Sequence, residues 1–171
     1  MDKKLIQKLN EILDKSEKRG RKKISSLKMR RFEKEMNTDI ADDYKEFLYN
    51  YSSCYLKDDY FFPMKEISEL TDENGLETMD FFYNTEFIDD SDDFIGLWGD
   101  KVLPIGESSG DYICIGIREE NKGKIYMLYH EDEKREDGLY LIADSFSDFI
   151  LSFRYIEQPH KEVNCVIEWN L

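Results

Sequence analysis

A chain of 171 residues with a net charge of −14, eleven Tyr and eleven Phe can bury an aromatic core without disulfides or a structural metal. No apolar run approaches the roughly 18 residues of a membrane span, and Met1-Asp-Lys-Lys opens a charged helix, which argues against a secretory leader. A body this acidic repels nucleic acid and anionic membranes and attracts basic protein surfaces.

The charge is unevenly placed. Residues 1–35 hold 13 Lys/Arg and 6 Asp/Glu, whereas residues 36–171 hold 11 and 32. Cys54, Cys114 and Cys165 are odd in number and far apart, as suits reduced, buried thiols. The expected location is cytoplasmic.

Leu5, Ile6, Leu9, Ile12 and Leu13 recur at helical spacing and predict an amphipathic first helix. Lys18-Arg19-Gly20-Arg21-Lys22-Lys23 interrupts it, with Gly20 as the stop. Residues 1–25 are expected to form a basic N-terminal helix and linker, and 26–171 one domain. A second helix is expected from Ser26 to Met36, burying Leu27, Phe32 and Met36. Tyr44, Phe47, Leu48 and Tyr51 fall at i, i+3, i+4 and i+7 and predict a third helix, with Asp42 and Asp43 in its first turn where the helix dipole favours them.

Beyond Cys54 the texture changes. Tyr60-Phe-Phe-Pro63 reads as a short extended piece and Lys65–Leu70 as a turn of helix; residues 71–93 read as a further helix or ordered loop. From Val102 the pattern is strands. Tyr112–Ile117 is nearly all apolar, as in a central strand covered on both faces. Gly123 marks the turn into a strand over Lys124–Tyr129, and Leu139–Ala143 makes another. Ser145 then caps a helix with Asp148 three residues on, and Phe146, Phe149, Ile150 and Phe153 form its buried face. Val163–Ile167 is expected to add an edge strand.

Three motifs suggest chemistry. Gly106-Glu-Ser-Ser-Gly110 matches the Gly-x-Ser-x-Gly nucleophile elbow by letter, but an elbow needs a strand before it and a helix after it, and here a strand follows. His130-Glu-Asp-Glu133 offers one histidine beside carboxylates, too few nitrogen or sulfur ligands for a usual zinc site. Asp89, Asp90, Asp92 and Asp93 lack the glycine and the terminal glutamate of a calcium loop. No catalytic residue, metal or cofactor is expected. The basic run Lys18–Lys23 is an exposed helix end, a contact for RNA or an acidic partner, or a segment that packs on the acidic body of the same or a neighbouring chain.

Six features occur in a familiar order. They are a helix beginning Ile40-Ala-Asp-Asp-Tyr44 and ending Asn50-Tyr-Ser-Ser53, the turn Leu103-Pro-Ile105, the strand Gly110-Asp-Tyr-Ile-Cys-Ile115, the strand Gly123-Lys-Ile-Tyr126, His130-Glu131, and Asp144-Ser-Phe-Ser-Asp-Phe149. This ordering resembles the SUKH superfamily, which includes fungal cell-wall synthesis regulators and bacterial immunity proteins. The chain departs from the family pattern in lacking the proline before Asp42-Asp43-Tyr44 and the glycine pair after Asn50. The resemblance implies an α+β fold of N-terminal helices, a central mainly antiparallel sheet and a C-terminal helix packed on it. It further implies a protein without a catalytic centre, acting by binding.

The expected role is therefore an immunity protein that masks the C-terminal domain of a cognate toxin, a basic protein such as a nuclease; a regulatory scaffold for a cellular partner is the alternative. Fixed carboxylates can occupy a nuclease's basic cleft by imitating phosphate. The residues expected to carry this are Asp58, Asp59, Asp89, Asp90, Asp92, Asp93, Glu131, Asp132 and Glu133 for steering, with Glu136 and Asp137 joining them if the loops share a face. Tyr55, Tyr60 and Trp98 are expected to supply affinity. The chain is expected to be a monomer or weak homodimer.

Overall fold

The computed structural model describes residues 1–14, 23–51, 54–83, 101–132 and 137–157. The first helix ends at Ile12, with Leu13 extended and bridged to Leu56, before the stop expected at Gly20. The basic run up to Lys22, Asp89–Asp93, Trp98, Glu133, Glu136, Cys165 and the edge strand expected at Val163–Ile167 lie outside the described residues.

Helix α1 (Lys3–Ile12) starts at Asp2, whose carboxylate accepts from the Lys4 N–H at 3.0 Å, and it buries Leu5, Leu9 and Ile12. Helix α2 (Ser26–Glu35) is capped by Ser25 Oγ, which accepts from the Lys28 N–H at 3.2 Å. Its buried residue is Met29. Leu27, expected in the core, is 71% exposed, and Phe32 and Met36 are only partly buried. The reason is helical phase: Leu27 and Met29 are two residues, roughly 200°, apart, so a helix resting on Met29, Phe32 and Met36 turns Leu27 to solvent. Helix α3 (Asp42–Asn50) buries Tyr44, Phe47 and Leu48 as its periodicity predicts.

Strands β1 (Cys54–Tyr55), β4 (Phe81–Phe82), β5 (Val102–Ser108), β6 (Asp111–Gly116), β7 (Ile125–Leu128) and β8 (Leu139–Ala143) form an antiparallel sheet in the order β1-β4-β5-β6-β7-β8. Strands β3 (Leu76–Glu77), β2 (Tyr60–Pro63) and β9 (Arg154–Tyr155) form a second, three-stranded sheet in the order β3-β2-β9. Helix α4 (Phe146–Ser152) follows β8 and packs against α1 and α3. The fold is α+β, with helices at both ends of the described chain and a mainly antiparallel sheet between.

Alternation along β6 explains its composition. Ile113 and Ile115 enter the large core with the helices, while Cys114 joins Val102, Leu128 and Leu139 in a smaller cluster, so both faces are covered. The large core is aromatic: Phe47 meets Phe82 at 4.7 Å and Phe146 at 5.0 Å, and Phe62 of β2 meets Phe149 and Phe153 at 5.1 and 5.3 Å. As its sequence predicts, Ser145 caps α4: its Oγ accepts from the Asp148 N–H at 3.0 Å and donates to the Asp148 carboxylate at 2.7 Å. Asp43 of α3 adds a second acceptor, taking the Ser147 N–H at 2.8 Å and its hydroxyl at 2.9 Å.

Lys65–Leu70 is a turned loop, not the expected turn of helix. Ser68 Oγ accepts from the Leu70 N–H at 2.8 Å and Thr71 Oγ1 from the Ser68 N–H at 3.0 Å, a side-chain alternative to helical bonding. Within 71–83 the chain forms β3 and β4 where a helix or loop was expected.

The two glycines of the elbow-like motif have steric reasons. A Cβ on Gly106 would lie 2.5 Å from the Phe81 carbonyl oxygen, so β4 pairs with β5 this closely because residue 106 carries no side chain. Ser109 and Gly110, at φ of 50° and 95°, make a tight two-residue turn between β5 and β6. Ser108 is 3% exposed at the end of a strand and pairs with Asp111, with a strand following and no helix. It is not presented as an elbow nucleophile.

Candidate interaction surface: the acidic end of the sheet

The register brings one end of several strands together. Tyr55 pairs with Phe81, and the Leu56 N–H reaches the Asp80 carbonyl at 3.0 Å. Phe81 pairs with Glu107, Ser108 with Asp111, and Tyr112 with Leu128. The His130 N–H then donates to the Asp111 carboxylate at 3.1 Å. The exits of β1 and β7, the entries of β4 and β6, and the β5–β6 turn therefore lie along one edge of the sheet.

Carboxylates from separate segments meet on this edge. Asp80 accepts from the Ser109 N–H at 2.9 Å and fixes the turn. Asp111 holds both the backbone and the ring Nδ1 of His130, the latter at 2.7 Å, and Glu131 lies 3.7 Å from Nε2. Asp132 accepts from the Tyr140 hydroxyl. Behind them, Glu77 of β3 accepts from the Tyr129 hydroxyl, and Tyr129 also bonds Thr71 Oγ1, each at 3.0 Å. Burial raises the Glu77 pKa; the Tyr129 hydroxyl and the Asp72 N–H that bond the carboxylate oppose the rise, and the charges of Asp72 and Asp111 add to it. Burial likewise pushes the Tyr129 phenol upward. Among the described residues, the ion pairs of Asp111 and Glu131 are with His130. The edge is thus, among the described residues, rich in carboxylates and poor in fixed cations.

The nominated residues divide. Glu131 and Asp132 sit on this edge, and Asp137 precedes β8 with its carboxylate accepting from the Leu139 N–H at 3.2 Å. Asp58 and Asp59 follow β1, at the same end of the sheet but four strands, roughly 19 Å, from β7. Asp58 is exposed and Asp59 half-buried. Asp89, Asp90, Asp92, Asp93, Trp98 and Glu133 lie outside the described residues.

The two described aromatics differ. Tyr55 is half-buried, its ring against Phe81 at 5.4 Å, in a row with Glu107 and Tyr112 across the sheet face away from the helices. Tyr60 stacks edge-on with Tyr155 at 5.7 Å and has the Lys8 and Lys57 ammonium groups each 5.7 Å from its ring centre. Its setting is mixed in charge, since Glu11, paired with Lys8 at 2.8 Å, and Asp59 also act on the phenol and, after burial, raise its pKa.

Residues 23–152 match the SMI1 / KNR4 family (SUKH-1). The chain belongs to that family. SUKH proteins include toxin immunity proteins, and members bind partner proteins such as toxins. The chain is also similar to the SPbeta prophage-derived uncharacterized protein YokK of Bacillus subtilis (strain 168), at 24% identity over 147 residues, covering 77% of this chain and 74% of that protein. Among the described residues, no helix is long and apolar enough to cross a membrane, and no group of three or more His, Cys, Asp or Glu could hold a metal ion.

Within this SUKH fold, sequence reasoning passed over Glu77, Asp80 and Asp111 on the acidic edge, and two exposed apolar residues beside it, Ile67 at 59% and Leu70 at 49%. A signal existed for Asp111, since Gly110-Asp111 opens a hairpin strand. Glu77 and Asp80 gave none, because only the β3–β4 crossing brings them there.

Proposed function

We propose that the chain is an immunity protein that binds, rather than chemically alters, the basic C-terminal domain of a cognate toxin, and that the acidic end of its sheet is the surface it offers. The observation that carries this reading is the meeting of Glu77, Asp80, Asp111, Glu131 and Asp132 from separate segments on one edge of a SUKH-family fold. Hydrogen bonds to Ser109, His130, Tyr140 and Tyr129 fix four of these carboxylates before any partner arrives, so little side-chain order is lost on binding. Their field accelerates encounter with a basic cleft, and a nuclease is the partner class whose cleft most resembles a phosphate receptor. Asp58, Asp59 and Tyr55 flank the same edge, and we assign Asp89, Asp90, Asp92, Asp93, Trp98 and Glu133 to the same contact. The buried Cys54 and Cys114 thiols fit a reducing, cytoplasmic setting.

The test is binding of the purified chain to the C-terminal domain of a polymorphic toxin encoded beside its gene, at two salt concentrations. A one-to-one complex whose association slows about tenfold with Glu131→Lys plus Asp58→Lys, and slows further with salt, supports the reading. An affinity and salt dependence unchanged by these substitutions would remove the acidic edge from the interface. Failure to bind the toxin, with capture of a cellular housekeeping protein instead, would replace toxin neutralisation with regulation.

A further inference from the structure

Two exposed patches on this molecule are complementary in charge. The first lies on α2, where a groove of about 470 Å³ is lined by Ser25, Leu27, Lys28, Arg31, Phe32 and Glu35. Leu27 is 71% exposed at its rim. Among the described residues Arg30, Arg31 and Lys34 form no ion pair. Glu33, the helix's other carboxylate besides Glu35, is turned inward to Lys45 and the Ile40 N–H. The groove is mixed: Leu27 and Phe32 give it two apolar side chains, set among Ser25, Glu35 and the cationic Lys28 and Arg31.

The second patch is the loop from Glu66 to Glu73, which carries Ile67 and Leu70, both exposed, among Glu66, Glu69, Asp72 and Glu73. The loop is firmly held. Ser68 and Thr71 are buried beneath it, Thr71 bonds Tyr129, and the Lys65 and Glu66 N–H groups reach the Leu141 carbonyl at 3.1 and 2.9 Å. It presents an apolar pair inside an acidic rim, in a fixed shape. A partner therefore need not order it.

We propose that the α2 groove of one copy receives the Glu66–Glu73 loop of a second copy, head to tail. Ile67 and Leu70 cover Leu27 and Phe32, and the loop carboxylates face Lys28, Arg31 and Lys34. A single groove–loop contact leaves one groove and one loop open, so association continues with concentration, whereas the reciprocal contact between the same two copies closes a two-fold dimer. The charged rims make it salt-sensitive. Given the toxin reading above, the loop borders the acidic edge, and a bound toxin competes with the second copy.

The experiment is sedimentation velocity of the full chain over a concentration series at low and high salt, with no toxin present. The expected result is concentration-dependent association at low salt that weakens at high salt. Leu27→Asp breaks the groove, Leu70→Lys breaks the loop, and each variant alone is monomeric. Mixing them restores a one-to-one dimer that does not extend, since each supplies the surface the other lacks. Both positions are exposed, and circular dichroism melts confirm folding; Arg31→Glu and Glu73→Lys form a second pair should either variant melt early. A wild-type chain that stays monomeric at low salt overturns the proposal, as does a mixture that yields no dimer. Association that persists in both single variants overturns it too. Because the toxin is absent, these outcomes are independent of whether the neutralisation reading holds.

Discussion

Asp43 shows how much one carboxylate can organise. Placed in the first turn of α3, it accepts from the Ser147 N–H and hydroxyl at the start of α4 and from the Tyr44 N–H at 2.9 Å, joining two helices distant in sequence. Asp43→Ala should lower unfolding free energy by about 1–2 kcal/mol in urea titration, the range for loss of a helix cap. Its neighbour Tyr44 is fully buried, and its hydroxyl has no hydrogen-bond partner among the described residues. Tyr44→Phe should therefore raise stability by about 1 kcal/mol, and a loss of similar size would mean that the hydroxyl is bonded. Asp39 gives a pH dependence. The Lys122 and Lys45 ammonium groups that bond it lower its pKa to about 2. A carboxylate depressed on folding stabilises above its unfolded pKa near 4 and loses that contribution as pH falls toward 2. Wild type and Asp39→Asn should differ at neutral pH and converge near pH 2 in thermal melts; a constant gap would assign the effect to packing.

At the scale of elements, the hairpins were legible and the amphipathic burial of α2 was not. Gly123, Gly110 and the apolar run of β6 announce their turns and strand directly, because tight turns and two-sided burial restrict residue choice. The short strands β3 and β4 carry no such restriction; they exist because β2 and β5 provide edges. For α2 the apolar residues do not share one helical face, so composition alone could not say which is buried. Met29→Ala should cost about 2–4 kcal/mol, whereas Leu27→Ala should leave stability nearly unchanged. Equal losses in chemical denaturation would mean that α2 is rotated from this orientation. The turn that follows α2 is pinned at the opposite end of β6 from the acidic edge: Arg118 donates to the Met36 and Asn37 carbonyls at 3.4 and 3.3 Å, and the Thr38 hydroxyl donates to the Ile117 carbonyl.

At the scale of the molecule, the acidic edge shows where sequence reading stops. The abundance of carboxylates was plain, and Glu131 and Asp132 could be named, but convergence depends on strand order, which no local pattern specifies. The first helix is similar: its apolar stripe was visible, and its partner α4, more than a hundred residues away, was not. Leu9 of α1 is fully buried in the large core, and Leu9→Ala should cost about 2–4 kcal/mol, measured as a shift in the urea midpoint at constant slope. The two described cysteines turn this architecture into a pair of clocks. Cys114 sits in a central strand, fully buried, and burial drives its thiol pKa upward, so an alkylating reagent reaches it only when the sheet opens. Cys54 lies in a two-residue strand at the sheet's margin. With Cys165→Ser removing the third thiol, Cys54 should label first and report fraying of the margin, and Cys114 later, reporting opening of the whole. Identical rates at the two thiols would reveal a sheet that comes apart in a single step.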